Sequence, residues 1–341
     1  MKASIRGIAY HLPEAILDNQ KLASEFPDWP ADKIESKTGI CFRHISASGE
    51  CASDLALAAC QKLFASGACQ AGEIDYLLLC TQSPDYLLPT TACILQDRLG
   101  IPTTCGALDF NLGCSGFVYG LGLAKGLIET NQASRVLLVT AETYSKFIND
   151  GDKSVRTLFG DAAAATLVNG VESQDDLIGP IVVGTDGRGA KNLIVPNGGS
   201  RQPWIPNAPE REDESGNRRS DNQLFMNGPE IFNFTVQAVP KVVNSLLERA
   251  GLRLEDVDLW VFHQANRYML DFLRKKLSIP PERFAVNISH CGNTVSSTIP
   301  ITLKDLHSQG RLLKDQTLGL VGFGVGYSWG AALVRWDGAP L

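Results

Sequence analysis

Apolar residues recur along the chain with two periods, one typical of buried strands and one typical of amphipathic helices. Continuous apolar runs predict strands at residues 5–10, 75–80 and 136–140. Positions that repeat every three or four residues predict helices at residues 51–67 and 90–99. Strands that alternate with helices are typical of α/β folds. The pattern therefore predicts an α/β fold with mostly parallel sheets.

One stretch changes from the strand period to the helix period within a few residues. Apolar side chains at residues 107–110 indicate a buried strand, and those at residues 117–127 lie at helical spacing. Cys114 lies between them, where Gly113 and Gly116 allow a tight backbone turn. Free N–H groups at a helix start favour a reactive thiolate, but a free cysteine is also a common core residue. This stretch alone leaves both interpretations open.

The second half of the chain repeats the plan of the first half. Residues 238–262 mirror residues 55–79 at an offset of 238 − 55 = 183, since each segment has a helix, a glycine, an acidic turn and a buried strand. A nearby register lays Cys114 on Asn293, at an offset of 293 − 114 = 179. Chance matching of Leu-rich and Val-rich segments is the alternative to an internal duplication. The predicted halves are residues 1–172, which carry the cysteine, and residues 173–341.

Composition excludes several classes of protein. The 341 residues carry a net charge of −6, which argues against a general affinity for nucleic acid or anionic membranes. No apolar run reaches the roughly 18 residues of a membrane span, and the N-terminus lacks the apolar core of a signal peptide. Nine cysteines without a C-x-x-C pair indicate neither a disulfide framework nor a zinc site. We predict a cytoplasmic protein without a bound metal.

A polar stretch at residues 198–222 interrupts the second half. It is rich in proline, arginine, asparagine and acidic residues, a composition that favours loops over packed elements. We predict a surface excursion that is mobile or lid-like.

Three chemically useful side chains follow predicted strands. His263 comes directly after a buried strand, and Asn293 opens a helix after a strand predicted at residues 284–288. Ligands of open α/β sheets bind at the carboxyl ends of strands, so these two residues and Cys114 are expected to converge. A Cys-His pair supports nucleophilic catalysis because the imidazole can take the thiol proton. Taken singly, His263 fits a core position and Asn293 fits a helix cap.

A glycine-rich turn at residues 322–326 follows another predicted strand, at residues 318–321. Its backbone N–H groups would complete an oxyanion hole with the amide of Cys114. Close packing is the alternative reason for so many glycines. A phosphate-binding loop is not indicated, because no Gly-Lys-Ser/Thr follows.

Five short motifs together point to one family. They are G-C-S-G-F at residues 113–117, F-G-D at 159–161, H-Q-A-N at 263–266, G-N-T at 292–294, and G-V-G at 324–326 with Trp329-Gly330. With these motifs the chain resembles a β-ketoacyl-acyl-carrier-protein synthase III, of the thiolase superfamily, along nearly its whole length. The resemblance implies a duplicated, five-layered αβαβα fold, a homodimer and a Claisen condensation.

The resemblance also implies a role for each member of the trio. Cys114 takes the acyl group from a thioester. His263 and Asn293 stabilise the enolate that forms as malonyl-acyl-carrier protein loses CO2, and this enolate attacks the acyl-cysteine. Backbone N–H groups of Cys114 and Val325 hold the thioester oxyanion. No cofactor is implied beyond coenzyme A or the phosphopantetheine of the carrier protein, which carry the substrates.

Substrate contacts are implied in the same way. Leu88 stands where a phenylalanine often limits the acyl pocket from the partner subunit, which predicts a longer or bulkier acyl group. The tunnel for the pantetheine arm is matched by Met226, Gly228, Phe232 and Asn266.

Three lysines replace residues that grip coenzyme A in many relatives. Lys33 and Lys37 stand where a tryptophan and an arginine are common, and Lys153 stands in place of a further arginine. Lysine can meet phosphates but lacks the planar stacking fork of arginine. The primer is therefore expected on coenzyme A or on an acyl carrier protein.

Three other functions fit part of the pattern. A thiolase-fold acyltransferase of secondary metabolism would pass the acyl group from Cys114 to a non-malonyl acceptor. A papain-like hydrolase also uses Cys, His and Asn, but the duplication and the lack of secretory features speak against it. A catalytically silent partner subunit would not need to retain the trio. Decarboxylation of malonyl-carrier protein separates the first alternative from the condensing enzyme.

Overall fold

The computed structural model describes residues 1–339, and no helix in this range is long and apolar enough to cross a membrane. The strands are β1 (Lys2–His11), β2 (Ala15–Asp18), β3 (Phe42–Ile45), β4 (Tyr76–Cys80), β5 (Gly106–Phe110), β6 (Arg135–Glu142), β7 (Ala162–Val171), β8 (Ile178–Thr185), β9 (Leu193–Ile194), β10 (Arg211–Glu212), β11 (Arg218–Arg219), β12 (Phe225–Met226), β13 (Leu259–Phe262), β14 (Thr317–Gly324) and β15 (Ser328–Arg335). The helices are α1 (Asn19–Glu25), α2 (Ala31–Thr38), α3 (Ala52–Ala65), α4 (Thr91–Arg98), α5 (Gly116–Glu129), α6 (Lys153–Arg156), α7 (Gly228–Ala250), α8 (Arg267–Lys276) and α9 (Thr298–Ser308).

The strands form two main sheets of matching order. The first sheet runs β1-β7-β6-β4-β5 and the second runs β8-β15-β14-β13. In the first sheet β4 is parallel to β5 and β6, while β7 is antiparallel to β6 and β1. In the second sheet β13 is parallel to β14, while β15 is antiparallel to β14 and β8. Both sheets are mixed, so the prediction of mostly parallel sheets is wrong.

The hydropathy pattern does not indicate strand direction, because a buried strand has the same apolar run in a parallel or an antiparallel pairing. The connection between β14 and β15 shows what fixes the direction. Only residues 325–327 join these strands, and a parallel pair needs a crossover of a dozen or more residues. The short loop therefore forces an antiparallel hairpin.

Equivalent hydrogen bonds join the starts of neighbouring parallel strands in the two sheets, in keeping with a duplicated fold. The amide of Asp75 donates to the carbonyl of Arg135 at 3.0 Å, and that of Asp258 donates to the carbonyl of Thr317 at 2.9 Å. In each pair the donor directly precedes a strand, β4 or β13, and the acceptor is the first residue of the neighbouring strand, β6 or β14. The chain passes from one sheet to the other between β7 and β8, and the predicted boundary after residue 172 falls in this segment. Its status as a domain boundary stays a prediction.

The strand predicted at residues 284–288 is wrong beyond its first residue. Phe284 makes one isolated parallel bridge to Trp260 of β13, in the position that β5 takes beside β4 in the other sheet. The side chain of Gln264 then replaces the ladder, since its Oε1 accepts from the amide of Asn287 at 2.7 Å. A side-chain hydrogen bond thus holds this segment where a strand pairing was expected.

The helices complete five layers in the order αβαβα, as the resemblance implied. Helix α5 lies between the sheets and contacts β1, β4, β6 and β7 on one side and β8, β14 and β15 on the other. Helix α9 lies in the same layer, against β1, β7 and β13. Helices α3 and α4 cover the outer face of the first sheet, and α7 and α8 cover that of the second. The central core contains Phe117 and Leu121 of α5 with Ile299 and Leu303 of α9.

The polar segment at residues 198–222 lies mostly at the surface, as predicted. It contains the short hairpin of β10 and β11. An ion pair of 3.0 Å between Arg219 and the buried carboxylate of Asp152 ties this hairpin to the first half of the chain. The mobility of the segment stays a prediction.

Candidate active site

A small cavity brings together the three predicted catalytic side chains. Cys114, His263 and Asn293 all line it, and its volume is about 80 Å³. Cys114 lies between β5 and α5, His263 directly follows β13, and Asn293 precedes α9. All three are buried, with exposed fractions of 6%, 2% and 5%. The convergence of strand ends therefore produces a compact site of one thiol, one imidazole and one amide.

Glycines allow β14 to approach the turn that carries Cys114. A Cβ atom on Gly324 would lie 2.9 Å from the Sγ atom of Cys114, and one on Gly322 would lie 2.8 Å from its carbonyl oxygen. Both glycines belong to β14, so the predicted turn is shorter than expected and spans only residues 325–327. Close packing explains the two glycines. Val325 directly follows Gly324, the residue of β14 that approaches the thiol.

Burial keeps the thiol of Cys114 protonated at rest. Removal from water, with a smaller contribution from the nearby Glu142, raises the pKa of Cys114 to about 12, and its own backbone opposes this only in part. The expectation that a helix start favours the thiolate is therefore wrong for the resting protein. Helix α5 begins two residues later, at Gly116, and desolvation outweighs what its N–H groups contribute.

His263 is also uncharged at neutral pH. Burial lowers the pKa of His263 to about 3, and the backbone of Val295 opposes this shift only weakly. The Nδ1 atom lies 2.8 Å from the hydroxyl of Thr298, and the imidazole and Phe323 rings pack edge to face with centroids 5.5 Å apart. The sequence analysis missed Thr298, because a threonine at a helix start carries no signal beyond capping. A neutral imidazole can donate through one nitrogen and accept through the other.

Asn293 is held at both its backbone and its side chain. Its amide donates to the carbonyl of Leu158 at 2.9 Å, and its carbonyl accepts from the amide of Gly160 at 3.0 Å. Its Oδ1 atom accepts from the amide of Val295 at 3.0 Å, and its Nδ2 atom donates to the carbonyl of Ala265 at 3.4 Å. The F-G-D motif thus forms one wall of the site by pairing with Asn293.

The predicted contacts for the pantetheine arm separate into two places. Met226, Gly228 and Asn266 line the same cavity as the trio. Phe232 is not among the residues that line it. Its ring packs instead on Tyr268 and Phe272 of α8, with ring centroids at 5.7 and 5.1 Å. Phe232 therefore supports the helix that borders the cavity.

Two of the three predicted phosphate contacts meet at one aspartate. Lys153 forms an ion pair of 2.7 Å with the carboxylate of Asp28, and Lys33 donates to the backbone carbonyl of Asp28 at 3.0 Å. The Nζ atom of Lys33 also lies 5.0 Å from the ring centre of Trp29. Lys37 is exposed on α2.

Leu88 lies on an exposed loop. Its exposed fraction is 82%, and it does not line the large cleft beside the trio. This cleft has a volume of about 620 Å³ and is lined by Tyr86, Leu87, Leu193 and Val325 among others. Leu193 borders the small cavity as well. The cleft thus adjoins the site and opens toward the loop that carries Leu88.

Glu142 is a second buried group that the sequence analysis missed. It is the last residue of β6 and is fully buried. Its carboxyl group accepts from the amide of Gln82 at 3.1 Å, from Ser83 Oγ at 3.2 Å and from Ser296 Oγ at 3.4 Å. Burial raises the pKa of Glu142 to about 8. An acidic residue at the end of an apolar strand was the available signal, but the predicted strand stopped at residue 140.

Comparison with known proteins gives one consistent family. Residues 108–187 match the family model described as 3-oxoacyl-[acyl-carrier-protein (ACP)] synthase III, and residues 247–336 match the model for the C-terminal part of the same proteins. The β-ketoacyl-[acyl-carrier-protein] synthase III of Caldanaerobacter subterraneus subsp. tengcongensis is 35% identical over 338 residues, which cover 98% of both chains.

Solved structures agree with the sequence comparisons. A crystal structure of a 3-oxoacyl-(acyl-carrier-protein) synthase III has a TM-score of 0.98 and 56% identity, covering 98% of this chain and 100% of the other. The 3-oxoacyl-(acyl-carrier protein) synthase of Burkholderia xenovorans LB400 has a TM-score of 0.90 and 39% identity, covering 99% of this chain and 95% of the other.

Proposed function

We propose, from the premise that the chain belongs to the 3-oxoacyl-(acyl-carrier-protein) synthase III family, that its reaction is carried by Cys114, His263 and Asn293. The enzyme is an acyltransferase. It condenses an acyl thioester with malonyl-acyl-carrier protein and releases CO2 and a 3-oxoacyl thioester. Transfer to a non-malonyl acceptor is the less favoured alternative, since the relatives are named as β-ketoacyl synthases. The observation that supports these roles is the convergence of the trio in one buried cavity.

The first half-reaction places the acyl group on Cys114. The sulfur attacks the thioester carbonyl, and the proton of the thiol ends on the departing thiol of the carrier. Because the resting thiol is neutral, its proton leaves during the attack and is passed to the departing sulfur. The backbone N–H groups of Cys114 and Val325 hold the oxyanion, a role supported by the close approach of β14 at Gly324, where an added Cβ atom would lie 2.9 Å from the sulfur.

The second half-reaction uses His263 and Asn293 as neutral donors. Both hold the thioester oxygen of malonyl-carrier protein as its C–C bond to the carboxylate breaks. The electron pair forms an enolate, and the enolate carbon attacks the acyl carbonyl on Cys114. The thiolate then leaves and is reprotonated. Burial keeps His263 uncharged, which suits a step that needs hydrogen-bond donors and no added base.

The substrate arms are assigned to the surroundings of the cavity. Met226, Gly228 and Asn266 border the pantetheine arm, and Phe232 supports this wall through α8. Lys33, Lys37 and Lys153 are the phosphate contacts, with Asp28 released from Lys153 when a phosphate binds. The acyl chain enters the cleft of about 620 Å³. Coenzyme A or an acyl carrier protein delivers the primer.

We further propose a homodimer through the free edge of the first sheet. β5 is the edge strand of that sheet, and an exposed edge pairs readily with another chain. The adjoining loop exposes Tyr86, Leu87 and Leu88 by 64%, 89% and 82%. Exposed apolar side chains beside an open edge favour a second copy as the partner, and Leu88 would then reach the cleft of the other subunit.

A cytoplasmic location completes the proposal. All nine cysteines are free thiols, and Cys93 is exposed. Such cysteine usage suits a reducing compartment.

Intact-mass analysis tests the acyl-enzyme. We expect one acyl adduct after exposure to a panel of acyl-CoA and acyl-carrier thioesters, and no adduct on the Cys114→Ala variant. An adduct that survives this substitution, or no adduct with any thioester, would contradict the proposed nucleophile.

A further inference from the structure

The hydroxyl of Thr298 lies between the imidazole of His263 and a backbone carbonyl. Its Oγ1 atom is 2.8 Å from Nδ1 of His263 and 3.1 Å from the carbonyl oxygen of Val295. Thr298 and His263 are each only 2% exposed, and Val295 is fully buried. Water is therefore a poor competitor for these hydrogen bonds, and the hydroxyl has two fixed neighbours.

The backbone that presents Thr298 is unusual. Val295 has a φ of 54°, a left-handed conformation that costs a β-branched residue on the order of 1–3 kcal/mol. Such strain persists only where the surroundings enforce it. Here the side chain of Asn293 binds the amide of Val295, and the hydroxyl of Thr298 lies beside its carbonyl. The turn thus fixes two polar side chains of the site at once.

The Thr298 hydroxyl has one proton and can donate only one hydrogen bond, so the neighbour to which it donates determines which tautomer His263 adopts. If Thr298 donates to the carbonyl of Val295, then Nδ1 of His263 must carry the ring proton, and Nε2 is a bare acceptor. If Thr298 donates to Nδ1, the ring proton is on Nε2 instead. The contact with Nδ1 is the shorter of the two, and an imidazole nitrogen is a basic acceptor. Both facts favour donation to Nδ1.

We infer that Thr298 is a positioning residue that donates to Nδ1 of His263 and thereby keeps the ring proton on Nε2, the nitrogen left for the substrate. The inference rests on the proposed role of His263 as a donor to the thioester oxygen of malonyl-carrier protein. It adds the group that makes the imidazole a donor in that step. Acylation of Cys114 does not need a donor at Nε2 and depends less on Thr298.

The first test reads the tautomer directly in the unmodified protein. Nitrogen-15 NMR of histidine-labelled enzyme, with the signal of His263 assigned by its absence in His263→Ala, distinguishes a protonated Nε2 from a protonated Nδ1. We expect protonated Nε2 in the parent and in Thr298→Ser. In Thr298→Val we expect a shift toward protonated Nδ1, because the Val295 backbone also borders the ring. A protonated Nδ1 in the parent protein would overturn the inference.

The second test separates the two half-reactions. Loss of one such hydrogen bond corresponds to about a tenfold effect, so we expect Thr298→Val to slow decarboxylation of malonyl-carrier protein about tenfold or more. Self-acylation of Cys114 should change less, and Thr298→Ser should recover most of the decarboxylation rate. Equal slowing of both half-reactions by Thr298→Val would overturn the inference.

Thr302→Val is the matched control on the same helix. Thr302 is also fully buried, and its hydroxyl donates to the carbonyl of Thr298 at 2.8 Å. This variant should leave the tautomer and the ratio of half-reaction rates unchanged. His263→Ala distinguishes a failure of the role proposed for His263 from a failure of the role proposed for Thr298. If His263→Ala decarboxylates malonyl-carrier protein at the parent rate, the proposed function of His263 fails. If it is inactive while Thr298→Val equals Thr302→Val, only the present inference fails.

Discussion

Cys114 and His263 meet as an uncharged pair. Burial raises the pKa of the thiol to about 12 and lowers the pKa of the imidazole to about 3, so neither is ionised at neutral pH. A resting thiolate-imidazolium pair is therefore not the form that meets the substrate. The attack must therefore couple formation of the C–S bond to loss of the thiol proton.

The proposal that His263 and Asn293 act as neutral hydrogen-bond donors predicts that their removal affects the two half-reactions differently. We expect His263→Ala and Asn293→Ala to suppress condensation while some self-acylation of Cys114 remains, because the role proposed for both is to stabilise the enolate. Removing one such donor from a low-dielectric, water-excluded site costs roughly 10²–10³-fold in rate. Intact mass measures acylation, and release of CO2 from malonyl-carrier protein measures the second step. Equal loss of both steps would contradict the division of roles.

Glu142 makes stability depend on pH. Its folded pKa of about 8 lies above the ordinary value of 4.5, so the folded protein keeps a proton that the unfolded chain releases. The contribution to stability is therefore complete below pH 4.5 and is lost as pH rises through 8. We expect urea unfolding to show a fall in stability from pH 5 to 8 that is smaller in Glu142→Gln. Parallel curves for the two proteins would show that this carboxyl group does not cause the dependence.

The convergence of Cys114, His263 and Asn293 was predictable from sequence, whereas the residues that contact them were not. Cys114, His263 and Asn293 follow strands and carry functional groups that are informative at such positions. The interaction of Thr298 with His263 joins residues 35 positions apart, and Glu142 meets Ser296 across 154 positions. Single-sequence patterns describe local spacing, so hydrogen bonds of this separation appear only in the folded structure.

At the scale of elements, the contact between β14 and the Cys114 turn determines the shape of the site. Gly322 is the tightest point, since a Cβ atom there would lie 2.8 Å from both the carbonyl oxygen of Cys114 and the Cα atom of Ser115. These are backbone atoms, which cannot rotate away. The hydroxyls of Ser115 and Ser328 also meet at 2.6 Å, so β15 is joined to the same turn.

Gly322→Ala should therefore affect both stability and acylation. We expect a loss of roughly 1–3 kcal/mol in unfolding free energy from overpacking, with slower acylation of Cys114 as the turn moves. Gly126→Ala is the control: this exposed position in α5 has no heavy atom within 4 Å of an added Cβ. It should stabilise the helix by about 0.5–1 kcal/mol. Urea unfolding and intact mass measure the two effects, and a Gly322→Ala protein as stable as Gly126→Ala would contradict the account.

The periods in the sequence located the main strands and helices, because burial on one or two faces is a local property. They did not reveal strand direction, which loop length and pairing decide. They also suggested a strand after Phe284 that the fold replaces by the side chain of Gln264. The hydropathy pattern cannot show that a polar side chain takes the place of the hydrogen bonds between two strands.

At the scale of the whole molecule, the proposed dimer links acyl specificity to the partner subunit. We expect Leu88→Phe to shorten the preferred acyl chain, because a larger side chain on this loop would fill the cleft of the other subunit. Leu313→Phe is the control, since Leu313 is also exposed, by 58%, but does not line the cleft. Rates with a series of acyl-CoA chain lengths measure the effect. An unchanged chain-length profile in Leu88→Phe would count against this role.

The repeat in the sequence predicted two related halves, and the matching strand orders agree with it. It did not predict that α5 and α9 would share one layer. A repeat shows that two segments have similar local structure, whereas their contact depends on which apolar faces the whole chain leaves to be covered.

The shared central layer makes each half of the chain depend on the other half. Each sheet needs the other to bury α5 and α9, whose apolar side chains form one continuous core. A chain of half this length would have left that core open to water and would have needed a second copy to close it. The present enzyme therefore has the form of two similar halves joined between β7 and β8, with the proposed nucleophile in one half and the proposed hydrogen-bond donors in the other.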